Sequence, residues 1–480
     1  MMVGTLGCAL RCVHRHVRNY RRCIVAASAL ALCACSLGPQ YSRPDIPAPA
    51  AWRNAQANAR VAWPSSNWWR GFGSPPLDAF IAQAQHANDD IAAAIARVRE
   101  ADAQARIAGA ALLPAVAASA DVTRERTMAA SGALSTYSVY SPQVSANYEL
   151  DFWGRNRAAL SAAQATFAAS RYDRATVELT VVTGVASTYF LSLELRERLS
   201  IARSNLASAA QILNGLRLEQ TAGTADALGV AQQETTVATL NAAIPPLEQQ
   251  LRQSVDALAI LLGKTPEAVD LAGGTLAGLS QPWVRPGLPS ELLTRRPDVA
   301  EAEAQLIAAN ANIAQARAAF FPRIELTAST GFASTALSHA LDPANSIFSL
   351  AAGLAQPIFE GGALQGQSAF AKARYTELLA EYHKTVISAF ANVEDALVAL
   401  QKTGEQVQRQ QQAVATARRA YEIAQAQLHA GTINVLALLN TEGALFTAED
   451  QMVQVDFSHL QALIGLFKAL GGGWRNTPEA

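Results

Sequence analysis

Along this chain the apolar positions change their spacing, from every third or fourth residue to every second and back again. The whole alternation occurs twice. Between Pro76 and Leu113 the residues Leu77, Phe80, Ile81, Ala84, Ile91, Ile95, Val98 and Ile107 recur at three- and four-residue intervals, which predicts a helix. Pro114 ends it, because the residue before a proline avoids the α region. From Tyr140 to Phe152 the period falls to two. Tyr140, Val144, Ala146, Tyr148, Leu150 and Phe152 share one face, and Ser141, Gln143, Ser145, Asn147, Glu149 and Asp151 the other, as in a strand with one apolar side. After Pro322 the pattern returns, with Ile324, Leu326, Ala328, Thr330 and Phe332 alternating with Arg323, Glu325, Thr327, Ser329 and Gly331. Val116 to Val122 and a weaker segment from Phe348 to Ile358 bring the expected strands to four, in two hairpins with tips near Ser131-Gly132 and Asp342-Pro343.

Two proline-free helical stretches follow the hairpins, Arg155 to Thr221 and Ala363 to Ala430. At 1.5 Å per residue each forms a rod of roughly 100 Å, and a rod of that length needs partners along its side. Apolar or small residues fall in a heptad near their ends, at Leu206, Ala209, Leu213 and Leu216 and again at Val414, Ala417, Tyr421 and Ala424, the seam of a coiled coil. The rods turn at Ala222-Gly223-Thr224 and Ala430-Gly431-Thr432, where Gly supplies the backbone freedom that ends a helix. They return as Leu228 to Leu262 and Val435 to Leu470. These landmarks correspond at an offset of about 208 residues: Pro114 with Pro322, Asp151-Phe152-Trp153-Gly154 with Ile358-Phe359-Glu360-Gly361, one tip with the other, and Leu262-Gly263 with Leu470-Gly471. Such internal symmetry decides the fold class: mainly α with a small β part, long coiled-coil hairpins plus four strands per chain.

The cysteines supply an address. Cys8, Cys12, Cys23, Cys33 and Cys35 all lie in the first 35 residues, so the rest of the chain has no disulfide or thiolate site. Arg11, Arg15, Arg18, Arg21 and Arg22 precede a short apolar run from Cys23 to Ala34, the layout of an export signal. Its end, Leu32-Cys33-Ala34-Cys35, resembles the lipobox of bacterial lipoproteins, which implies removal of the signal and lipid attachment at Cys35. Ser36 in the next position resembles the pattern that sorts lipoproteins to the outer membrane. The chain therefore divides into a signal peptide at residues 1–34, a lipid-anchored linker at 35–75, a first repeat at 76–263, a connector or collar at 264–288, a second repeat at 289–470 and a tail at 471–480. Within the repeats the β-hairpins occupy 114–152 and 322–359, and the helical tips 222–224 and 430–432.

A net charge of -1 with pI near 6.7 gives no basic surface for nucleic acid. Only 7% of residues are aromatic, which with the Ala, Gln, Leu and Glu tracts indicates helices packed closely rather than around a bulky core. No run of about 18 apolar residues follows residue 35, so a membrane crossing must use strands. The alternating segments are long enough, since a tilted strand needs about 9–11 residues. A soluble sandwich alternates in the same way, but two hairpins can neither close a barrel nor bury a core alone. Tyr137, Phe152, Trp153, Phe320, Phe321 and Phe359 lie at strand ends, where an interfacial girdle would place them.

Catalytic chemistry finds no footing. Gly263-Lys264-Thr265 resembles the end of a phosphate-binding loop, but the earlier Gly is replaced by Leu258. His86, His339, His383, His429 and His459 lack ligand spacing and read as surface residues. Glu394-Asp395 occupy adjacent helix positions that do not face each other. No enzyme activity, metal or cofactor is expected.

The most specific string runs from Gly287-Leu288-Pro289-Ser290-Glu291-Leu292-Leu293-Thr294-Arg295-Arg296-Pro297-Asp298-Val299 through Glu303-Ala304-Gln305-Leu306 and Ala308-Ala309-Asn310 to Ala316-Arg317-Ala318-Ala319-Phe320-Phe321-Pro322. With Gly38-Pro39-Gln40-Tyr41, Tyr148-Glu149-Leu150-Asp151-Phe152-Trp153-Gly154-Arg155 and Gln356-Pro357-Ile358-Phe359-Glu360-Gly361-Gly362, it resembles the TolC/OprM-type outer-membrane efflux channels of the NodT branch over essentially the whole mature chain. The resemblance implies a homotrimer with a twelve-stranded barrel and a periplasmic α-helical tunnel. It also implies a periplasmic adaptor and an inner-membrane pump, often of the resistance-nodulation-division type, for which the chain is a passive exit duct through the lipid bilayer. It places a constricting gate at Leu436 and Asn440, and adaptor contacts at Ala222, Gly223, Thr224, Ala430, Gly431 and Thr432. Asn440 stands where relatives carry Asp, and Gly229 where many do, so a charge-based latch is weakened. Helical spacing alone places Leu436 in the coiled-coil core beside Leu439. A structural or adhesive coiled-coil lipoprotein without a channel is the alternative.

Overall fold

The computed structural model describes residues 38–53, 61–128, 132–224, 226–271, 273–284 and 286–476. The export signal with Cys35, and Ser131 at the first hairpin tip, lie outside the described residues. Helices occupy Pro75–Ala87 (α1), Asp89–Ala110 (α2), Arg155–Thr221 (α3), Ala227–Leu261 (α4), Pro297–Ala318 (α5), Ala363–His429 (α6) and Val435–Ala469 (α7). Strands occupy Ala115–Met128 (β1), Leu134–Glu149 (β2), Arg323–Phe332 (β3) and Ser346–Ala355 (β4). The chain divides into two compact units: residues up to 43 with 101–167 and 304–379, and residues 44–100 with 168–303 and 380–480.

The first unit carries one antiparallel sheet in the order β1-β2-β3-β4. Its register aligns Val116 with Ala146, Val144 with Thr330, Tyr148 with Leu326, Ala328 with Leu350 and Thr330 with Phe348. Because side chains alternate, these pairs place most of the large apolar residues of the four strands on one face, with Val139 and Ile347 on the other. Ser119, Asn147, Thr327 and Ser349 share the other. β1 and β2 extend further toward their hairpin than the alternation predicts, through Thr123, Arg124, Glu125, Arg126 and Thr127. There β1 is polar on both faces, and cross-strand pairing rather than apolar period maintains it. β2 stops at Glu149, short of Phe152, and β4 stops at Ala355, since Pro357 has no N–H for a ladder. Between β3 and β4 the chain makes two single 3₁₀ turns, Leu337–His339 and Pro343–Asn345.

Where β2 hands over to α3, Asp151 accepts hydrogen bonds from the backbone N–H groups of Asn156 (2.9 Å) and Arg157 (2.9 Å), satisfying orphan donors of the helix start. Trp153 donates its indole N–H to the Pro322 carbonyl at 2.8 Å and packs on Phe321 at 4.8 Å. Trp153 and Phe321 thus fasten the β2-to-α3 junction of the first repeat to the α5-to-β3 junction of the second, instead of serving only as an interfacial girdle.

The second unit is helical, with a bulkier core than composition suggested. Trp68 stacks on Phe467 at 4.6 Å, and Phe72 meets Phe190 edge-on at 5.0 Å. Leu77, Ile81, Tyr189, Leu193, Leu258 and Leu466 are buried around them. The linker supplies Trp68 and Phe72, and also Trp52, whose indole N–H donates to the Gly287 carbonyl at 2.8 Å. The single predicted helix over 76–113 is two, broken at Asn88. Asn88 turns extended and accepts from the N–H groups of Asp90 (3.0 Å) and Ile91 (3.1 Å), while its amide donates to the Leu261 carbonyl at 2.9 Å. A cap of this kind overrides an unbroken apolar period.

Two further features depart from expectation. Helix α3 contains an 18-residue window of mean hydropathy 1.3, long and apolar enough to cross a membrane by composition alone. Half of that window is buried, and Val181, Val182, Val185, Ala186, Tyr189 and Phe190 are core residues, so protein packing accounts for its apolarity. Helix α4 carries Pro245 and Pro246 in its interior, where each removes a backbone donor; Leu247 beside them still packs against Leu195 and Leu199. The repeats are joined by Arg198 of α3, which donates Nε to Asp450 of α7 at 2.7 Å and Nη1 to Glu194 at 3.2 Å.

Candidate functional site

Three groups of residues stand out: the apolar sheet face, the helical tips and the first turns of α7. On the sheet, the apolar face is uncovered. Phe348 is 86% exposed, Leu350 80% and Leu354 68%, with Val116, Val122 and Val144 also exposed. A continuous apolar face of this extent marks contact with a membrane or partner. Its reverse carries mostly polar and small residues, and each strand reaches the span a tilted bilayer crossing requires, which together describe a lipid-facing wall with a more hydrophilic inner side. β1 and β4 are both edges of the sheet, so one chain cannot close it.

The two tips have the same hydrogen bonds. In the first, Gly223 has φ +76° and the Thr224 N–H reaches the Glu219 carbonyl at 2.9 Å, with the Thr224 hydroxyl donating to the same carbonyl at 3.0 Å. In the second, Gly431 has φ +71°, and Thr432 makes both bonds to the Gln427 carbonyl, each at 3.0 Å. This six-to-one bond past a left-handed residue closes a helix C-terminus. The return helices are capped alike, by Asp226 accepting from the Gly229 N–H at 2.7 Å and Asn434 accepting from the Ala437 N–H at 3.1 Å. Ala222, Gly223, Thr224, Ala430 and Gly431 are exposed, and so is Thr432.

Leu436 and Asn440 lie one turn apart on α7, on one exposed side; Leu436 is 43% exposed while Leu438 is buried. Leu436 is therefore not part of this chain's own core, and Leu438 takes that place. Gly229 acts through close approach. A Cβ there would lie 3.1 Å from Val435 Cγ1, and Val435 packs on the cluster of Leu213, Leu216 and Val230. The lost side chain lets the start of α7 settle against α4, a role legible only once Val435 is seen opposite it.

Several buried acids accompany these elements. Burial pushes Glu442 on α7 up to about 7, and burial together with Asp173 and Asp298 does the same to Glu301. Glu194 is raised by burial, against the pull of Arg198. Of the histidines read as surface residues, His86, His339, His383 and His429 are exposed. His459 is half-buried, lies 2.9 Å from the Thr403 hydroxyl, and burial lowers its pKa. Glu394 accepts the Arg53 N–H at 2.7 Å, a structural contact. Among the described residues no group of His, Cys, Asp and Glu is placed to hold a metal ion.

The family model described as outer membrane efflux protein matches residues 80–264 and again 288–472, one match on each repeat. The chain is 40% identical over 462 residues to the pyoverdine export outer membrane protein OpmQ of Pseudomonas aeruginosa, covering 94% of this chain and 97% of that protein. It is 35% identical over 467 residues to the toluene efflux pump outer membrane protein TtgF of Pseudomonas putida, covering 94% and 96%. Among solved structures it is similar to the outer-membrane channel OprN, with a TM-score of 0.85 at 26% identity over 92% of this chain and 100% of that one.

Proposed function

This chain belongs to the outer membrane efflux protein family, whose members are channels rather than enzymes, and we propose that three copies enclose a water-filled exit duct across the outer membrane. Each copy contributes four strands to a twelve-stranded barrel and two helical hairpins to a periplasmic tunnel. A periplasmic adaptor joins the duct to an inner-membrane pump of the resistance-nodulation-division type, which supplies the energy. Small molecules, drugs and toxic compounds among them, leave through it passively. The sheet carries this reading: its register sorts an uncovered apolar face from a more polar one across all four strands, and its two open edges call for further copies. Purified protein should be a trimer that conducts ions in planar bilayers. A stable, non-conducting monomer overturns the reading.

The tips are proposed as the adaptor contact, because their small, exposed residues let a partner helix approach closely. Gly431→Trp should abolish efflux-dependent resistance and adaptor co-purification while leaving the trimer intact; retained resistance removes the tip from docking. The lipid anchor is proposed at Cys35. Cys35→Ser should eliminate incorporation of labelled fatty acid, and undiminished label would assign the anchor elsewhere.

A further inference from the structure

Close behind the exposed Leu436 and Asn440, on the inward side of the same helix, α7 buries a carboxyl group. Glu442 is fully inaccessible to solvent, and neither of its oxygens has a hydrogen-bond partner. Opposite it on α4 is Gln233, also fully buried, whose amide N–H is committed to the Ala209 carbonyl of α3 at 2.8 Å and whose Oε1 is unpartnered. From α6, Tyr421 faces the same spot; burial pushes its phenol up, and the nearby Glu442 charge adds to the rise. Neither Lys, Arg nor His is among the groups acting on Glu442: burial raises it, and the second amide N–H of Gln233, a donor close by that stops short of a formed bond, lowers it by less. An ionised carboxylate here would have at most that one neutral donor for two buried oxygens and no cation beside it, at a cost that proteins avoid by protonation. We propose that Glu442 is a proton-operated latch: as a neutral acid it lets the start of α7 stay packed on α4, and on ionisation it drives that start, with Leu436 and Asn440, away from α4 and into the water of the duct.

The direction follows from linkage. In the packed tip the carboxyl titrates near 7, and once solvated it returns to its ordinary value of 4.5. The packed form therefore holds the proton more tightly. Its advantage is complete below the ordinary carboxyl range, shrinks as pH rises toward 7, and is constant above it. Because Leu436 and Asn440 lie on the side of α7 away from α4, the packed form holds the constriction wide, and the duct opens in acid and narrows toward neutrality.

This latch rests on the channel reading above, so the experiment separates the two. Trimers in planar bilayers at fixed salt should show an open fraction falling by up to about tenfold per pH unit and per latch between roughly pH 5 and 7, then levelling. Glu442→Gln, which mimics the neutral acid in shape, should hold the low-pH open fraction throughout. A pH-independent wild type, or a Gln variant that keeps the wild-type fall, overturns the latch while leaving the channel standing. If trimers do not conduct at all, the channel reading fails. Amide exchange then decides the latch: protection of the α7 start should fall with pH in the wild type, beyond the intrinsic rate change, and not in Glu442→Gln. Equal behaviour of the two proteins in exchange also overturns it.

Discussion

Leu350→Arg should all but eliminate trimers from the outer membrane, while Ser349→Arg, one residue earlier on the same strand, should be tolerated. Both side chains are on β4, but the register puts Leu350 on the exposed apolar face, across from Ala328, and Ser349 on the polar face, across from Ser329. Leu350 lies near the middle of the ten-residue strand, so an arginine there would enter the centre of the hydrocarbon layer. An arginine at the midplane of a transmembrane strand costs about 2–4 kcal/mol, and a trimer would bear it three times. Quantifying heat-resistant trimer in outer-membrane fractions of both variants checks this. Equal loss in both, or in neither, would mean that the sheet does not face lipid as the register requires.

Leu436→Ala should raise the single-channel conductance of the trimer severalfold and sensitise cells to compounds that enter from outside. The side chain is exposed on the first turn of α7, with Leu438 taking the buried position, so its removal leaves the chain's own core intact. In the threefold assembly three copies of Leu436 would converge, with three copies of Asn440 a turn away. Truncating a ring of leucines widens a constriction without adding charge, and Asn440 brings none. Conductance of purified trimers at fixed salt is the readout, with thermal stability as the control for folding. A variant with unaltered conductance removes Leu436 from the gate and leaves it as an inter-subunit contact.

The repeated architecture was legible in the sequence because it rests on periodicity. The rods α3 and α6 begin and end within a residue of the limits set by Arg155, Thr221, Ala363 and Ala430, since proline, glycine and capping chemistry act locally. The hairpin ends of β1 and β2 escaped, because Thr123 to Thr127 have no apolar alternation and owe their conformation to the partner strand. Asn88 escaped for the opposite reason: apolar spacing runs straight through it, and only its side-chain cap ends one helix and starts the next. The tip turns were readable down to their glycines. What surrounds them was not. That Gly229 faces Val435, that Leu438 rather than Leu436 is buried, and that Glu442 meets Gln233 all depend on α4 packing on α7, and residues from different repeats come together through tertiary contact alone.

The two unpaired borders of the sheet have a consequence for how the protein is made. β1 and β4 run 14 and 10 residues with every position exposed, and such strands recruit any extended chain that meets them. A newly exported copy is at its most vulnerable between crossing the inner membrane and finding its siblings. Its biogenesis should therefore depend on escort by holding chaperones or on rapid encounter, and overproduction should yield aggregates before it yields more ducts.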